Sequence, residues 1–69
     1  MGFKVGSKVH YQPQHYKADD RWENGIIKSF PTHTNQSAFV VYNCGGEWKR
    51  YKDYTAALTN KDDLKLGWR

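Results

Sequence analysis

Sixty-nine residues allow one domain, and a chain this short buries only about 60% of its unfolded surface, which leaves little room for a deep enclosed active site. Hydrophobic residues make up 38%, but three Trp, five Tyr and three Phe bring the aromatic share to 16%, a composition unlike that of disordered chains, and each such ring side chain buries roughly 150–250 Å². The formal charge is +4, from eleven Lys/Arg against seven Asp/Glu, a balance that favours encounters with polyanions and lies within the ordinary range for a soluble small domain.

Along the chain, Phe3, Val5, Val9 and Tyr11 alternate with Lys4, Lys8 and His10, broken at Gly6-Ser7. This predicts a bend followed by a half-buried strand from Lys8 to Gln12. Residues 12–21 are polar and charged and read as a loop. Asn24-Gly25 suits a tight turn; because the loop before it is long, Gly25 also suits a bulge or a close backbone approach within a strand. Ile26 to Phe30 is the second predicted strand, and residues 31–37 are again turn-like. Ala38 to Tyr42 is the clearest strand, β-branched and aromatic, ending at Asn43-Cys44-Gly45-Gly46. Its unbroken apolar run predicts burial on both faces.

From Glu47 to Tyr54 two periods compete. A period of two groups Trp48, Arg50, Lys52 and Tyr54, whereas a helical period links Trp48, Tyr51, Thr55 and Leu58. The segment is predicted to form a short helical turn at Trp48 to Tyr51, then a strand near Tyr54 to Leu58. Thr59 with Asp62 resembles a capping box opening a helical turn from Asn60 to Leu64, after which Leu64, Leu66 and Trp68 close onto the core. The whole reads as a mainly β single domain over residues 1–69: a small antiparallel barrel, open or closed, of four to five strands with one or two short helical turns. Such a barrel removes most exposed strand edges.

Val5-Gly6-Ser7-Lys8-Val9, Asn24-Gly25-Ile26-Ile27-Lys28, Ala38-Phe39-Val40-Val41-Tyr42 and the closing Asp63-Leu64 together resemble SH3-like barrels of the Tudor, chromo-barrel and KOW kind. A more specific pattern is similar to that of small uncharacterised bacteriophage and bacterial proteins. It comprises Glu23 to Lys28, Phe39 to Tyr42 with Cys44, and Trp48, Tyr51, Tyr54, Thr55, Thr59, Asp63, Leu64, Gly67 and Trp68. That likeness implies a phage or mobile-element origin and brings no assigned chemistry. A fainter likeness is to the plasmid-borne SH3-like dihydrofolate reductase, but Lys49-Arg50-Tyr51 stands where that enzyme has Gln-Ile-Tyr, so its activity does not carry over.

Catalytic and metal chemistry find little support in the residues. The single cysteine, Cys44, excludes an intramolecular disulfide and a zinc site built on several Cys. The lack of disulfides in so small a domain points to a reducing compartment, the cytoplasm. Residues 1–8 lack the apolar core of a signal peptide, and no apolar run approaches the ~20 residues needed to span a bilayer. His10, His15 and His33 lack ligand spacing and read as surface histidines. Cys44 sits beside Gly45-Gly46 with no His near in sequence and reads as a small strand-end residue. Asp19-Asp20 suits a solvated loop, and Asp62-Asp63 suits the start of a helical turn. No catalytic group, cofactor site or phosphate loop is identified, and the chain reads as a binding module, not an enzyme.

The densest candidate for binding is the run from Trp48 to Tyr54, in which three aromatics interleave with Lys49, Arg50 and Lys52. Single-stranded nucleic acid is bound by this combination, with rings stacking on bases and cations following phosphates. Lys28, Trp48, Lys49, Arg50, Tyr51 and Lys52 are thus the candidate DNA- or RNA-binding residues, against the alternative that the rings fill the core and the cations are a solvated face. A second candidate is an aromatic cage of Tyr11, Trp22, Tyr42 and Trp48, which the Tudor resemblance implies for methylated Lys or Arg through cation–π attraction. Two further readings stay open: a phage-encoded module that binds or inhibits a host protein, with exposed aromatics and Arg as anchors, and an oligomer that sequesters a small nucleotide at subunit interfaces.

Overall fold

A computed structural model describes residues 2–69. Five strands, β1 (Lys8–Tyr11), β2 (Glu23–Ser29), β3 (Ser37–Val41), β4 (Ala57–Asn60) and β5 (Leu64–Leu66), form one sheet. Its order is β4-β3-β2-β1-β5 and every neighbouring pair is antiparallel. β4 and β5 are the two edges, so the sheet is open and not closed into a barrel. A 3-10 turn at Lys61–Asp63 joins them.

The register follows the apolar pattern. Ile27 lies opposite Val40, and with Val9, Ala38 and Leu64 they form the core, against which Phe3, Tyr11, Phe30 and Tyr42 pack. Side chains alternate along a strand. The adjacent pair Ile26 and Val41 therefore points to the opposite face, yet both are buried. This double burial matches the unbroken apolar run. The second face is covered because another 3-10 segment, Trp48–Asp53, packs against β2, and the C-terminal residues lie across β1 and β2. Gly67 N donates to Lys8 O at 2.7 Å, and His10 Nδ1 donates to Gly67 O at 2.7 Å. Trp68 Nε1 donates to Gly25 O at 2.8 Å, and Arg69 and Asn24 exchange two further bonds.

Gly25 resolves the choice left at Asn24-Gly25. It lies inside β2, paired with Val9. A Cβ there would meet Val40 Cγ1 at 2.7 Å and Val41 O at 2.8 Å. Close approach, not a turn, requires the glycine.

Several expectations need correction. The loop over residues 12–21 contains a one-turn helix, α1 (Gln14–Ala18), entered from Pro13. Tyr16 and Lys17 N–H both reach Pro13 O. A single exposed turn leaves no hydrophobic period to read. The helical turn at Trp48 runs on to Asp53, so β4 starts at Ala57 instead of near Tyr54. Its place is set by pairing with β3, from Ser37 opposite Asn60 to Val40 opposite Ala57. The last turn is capped by Asn60, whose Oδ1 accepts from Asp62 N at 2.9 Å, not by Thr59. Thr59 faces inward and is buried. Leu66 stays exposed at 55% because it ends an edge strand. His10 is buried beneath the C-terminal segment and is not a surface histidine.

Candidate functional site

The six basic-surface candidates separate into different environments. Lys28 sits at the irregular register between Ile27 and Ser29, and its ammonium donates to Tyr54 O at 2.7 Å. It ties β2 to the residue after the 3-10 segment and is engaged structurally. Arg50 is balanced locally by Asp53 at 3.3 Å and Glu47 at 4.0 Å. Lys49 and Lys52 are exposed and carry no ion pair among the described residues. Trp48 and Tyr51 stand three residues apart on either side of a kink at Arg50 (φ −107°, ψ 25°), and both are half-buried.

Trp48 does not join a cage. Its ring packs on Trp68, with centroids 5.0 Å apart, and Lys8 Nζ lies 4.7 Å from the Trp68 ring centroid. The next residue, Arg69, places its guanidinium 4.3 Å from the ring of Trp22. Trp22 is preceded by Arg21, whose guanidinium lies 4.3 Å from the ring of Tyr16. At the other end Lys52 Nζ is 6.0 Å from the ring of Tyr51. The pairs are Lys52 with Tyr51, Lys8 and Trp48 with Trp68, Arg69 with Trp22, and Arg21 with Tyr16, and Trp68–Arg69 and Arg21–Trp22 are neighbours in the chain. Together they form a track of ring–cation pairs, each of the four cations lying within 6.0 Å of a ring centroid, where the π face attracts it. The C-terminal segment connects its two halves.

Of the four cage candidates, only Tyr11 and Tyr42 meet ring to ring, edge-on at 5.9 Å. They share a groove of about 280 Å³ with Glu23, Leu58, Thr59 and Asp63. Trp22 pairs with Arg69 and Trp48 with Trp68. Partial burial pushes the Tyr42 phenol up to about 12. Its hydroxyl meets Thr59 Oγ1 at 2.9 Å, and Thr59 donates onward to Ala57 O.

A second hollow, of about 310 Å³, is lined by Tyr16, Arg21, Trp22 and Glu23. Tyr16 donates its hydroxyl proton to Glu23 Oε2 at 3.1 Å. That bond raises the Tyr16 phenol above its ordinary value, since ionisation would place two negative charges side by side.

The sequence reading missed Lys8, Tyr16, Arg21, Trp68 and Arg69 as members of the track. Arg21 and Tyr16 are five positions apart and meet only because α1 folds the loop back, with Arg21 N bonded to Tyr16 O. The C-terminal Trp68-Arg69 pair is a ring beside a cation, and that composition is the one signal available for it. No family model, curated protein or solved structure matches the chain.

Proposed function

We propose that this protein is a non-enzymatic module that binds single-stranded nucleic acid along the ring–cation track. The observation that carries the reading is the set of ring–cation pairs, Tyr51 with Lys52, Trp68 with Lys8, Trp22 with Arg69 and Tyr16 with Arg21, together with the Trp48–Trp68 ring contact. Bases stack on such rings at ~1–3 kcal/mol each, and cations beside them follow the phosphates. Lys49, exposed next to Trp48, adds a further free charge. The site differs from the run first suggested by sequence: Lys28 and Arg50 fall outside it.

The strand order, with a 3-10 turn between the two edge strands, supports an SH3-like reading of the fold. A second reading has one specific observation in its favour. Tyr11 and Tyr42 with Glu23 and Asp63 make a groove of π faces and carboxylates, which suits a cationic side chain of a protein partner.

The two readings are separated by anisotropy titrations with short single- and double-stranded DNA and RNA probes at low salt. Single strands are expected to bind at micromolar or tighter affinity. Changing Lys8, Lys49 and Lys52 together to Ala is expected to weaken binding by at least about ten-fold, since three phosphate contacts are lost. Lys61→Ala serves as the control. Lys61 lies off the track, over Phe30 and bonded to Asn35 O, and its replacement is expected to have little effect. Absence of binding to any strand at low salt overturns the proposal.

A further inference from the structure

Most of the track can hold any base, because every base has a π face. The hollow at its Tyr16 end differs, for it contains an acceptor. Trp22 is 37% exposed and has Arg69 on one side, which leaves ring surface for a base. Glu23 is exposed at the start of β2, beside Tyr16, Arg21 and Trp22 in the hollow of about 310 Å³. Its Oε2 accepts from Tyr16 OH at 3.1 Å, which orients the carboxylate. Among the described residues no Lys or Arg forms an ion pair with it.

An ionised carboxylate only accepts hydrogen bonds and has room for a two-pronged donor even with one lone pair taken. Of the four common bases, guanine alone presents two adjacent donors, N1–H and the N2 amino group, on its pairing edge. Adenine and cytosine offer one amino donor there, and thymine or uracil one imino donor. The pairing edge is free only in an unpaired strand. A carboxylate beside a phosphate track also lowers affinity for any strand through repulsion, so a base that satisfies it gains selectivity from both sides.

We infer that Tyr16, Arg21, Trp22 and Glu23 form a base pocket that selects an unpaired guanine, with Trp22 stacking on the base, Glu23 accepting from N1–H and N2–H, and Arg21 meeting the adjoining phosphate. This rests on the single-strand reading and adds base selection to it.

The test compares three labelled strands of about twelve nucleotides, within the span of known single-strand sites: all thymidine, thymidine interrupted by guanosine, and the same with inosine for guanosine. Inosine keeps N1–H and lacks the amino group. The guanosine strand is expected to bind about ten-fold more tightly than the thymidine strand, the discrimination typical of one bidentate base contact, with inosine between them. Because Glu23→Gln removes a negative charge and raises affinity for every strand, the ratio of guanosine to thymidine affinity is the quantity read. That ratio is expected to fall to near one in Glu23→Gln. Equal binding of all three strands by the unchanged protein overturns the pocket and leaves the track standing. A preference for guanosine that survives Glu23→Gln also overturns it. No binding to any strand overturns both.

Discussion

Tyr42 shows what one side chain contributes by staying neutral. Its ring packs on the core, its hydroxyl meets Thr59, and burial pushes its pKa up to about 12. In the unfolded chain a tyrosine titrates near 10. The native state therefore holds this proton more tightly than the unfolded state. The stabilisation is complete below about pH 10 and is lost as pH rises from about 10 to about 12. Thermal melts across that window should show a falling midpoint, and the fall should be shallower in Tyr42→Phe, which has no proton to lose. Because the other tyrosines ionise in the same range, the difference between the two proteins is the measured quantity. Equal slopes would mean that Tyr42 is not the group held neutral.

At the scale of an element, the C-terminal residues 67–69 act as a strap across β1 and β2. They have no regular structure of their own, but their backbone and side chains bond to Lys8, His10, Asn24 and Gly25. Trp68 is the centre of the strap, with one bond to Gly25 O and its ring tilted at 57° against Trp48. Trp68→Ala should cost about 2–3 kcal/mol in urea denaturation, below the range for fully buried rings because Trp68 is half-exposed. Trp68→Phe should cost less, about 1–2 kcal/mol, chiefly through the Gly25 carbonyl left without its partner. An effect within about 0.5 kcal/mol for the alanine variant, the level of an ordinary surface change, would show that the strap does not hold the fold.

Over the whole molecule the sign of charge is arranged by pairing. Arg50 takes up Glu47 and Asp53, and Arg21 lies 3.8 Å from Asp19. Exposed pairs of this kind contribute at most about 1 kcal/mol and rearrange readily, so Arg21, with one carboxylate beside it at 3.8 Å against the two that flank Arg50, remains available to a phosphate. With Lys8, Arg21, Lys49, Lys52 and Arg69 on phosphates, the logarithm of affinity should fall against the logarithm of salt with a slope near −3.5, since each contact on a single strand contributes about −0.7. Titrations at several salt concentrations measure that slope. A slope near zero would mean that the strand, if bound, is held without the cations of the track.

Much of the architecture was legible in the order of residues. Lys8 to Gln12, Ile26 to Phe30 and Ala38 to Tyr42 read as strands because alternating or β-branched runs between turn residues report their own burial, and the strands stand at Lys8–Tyr11, Glu23–Ser29 and Ser37–Val41. The turn at Trp48 and the one before Leu64 were legible in kind, but their limits were not. One turn carries too few residues for a period, and β4 begins where β3 offers partners. The site was legible only in part. Trp48, Lys49, Tyr51 and Lys52 were visible because rings and cations were neighbours in sequence, and an aromatic-rich basic composition pointed to binding. That Lys28 turns to Tyr54 O, that Trp48 meets Trp68, and that Arg69 and Arg21 complete the track across 48 positions were decided by tertiary structure. The physical reason is that local pattern records which side chains must leave water, whereas ring–cation pairing depends on which distant segments the antiparallel sheet brings together.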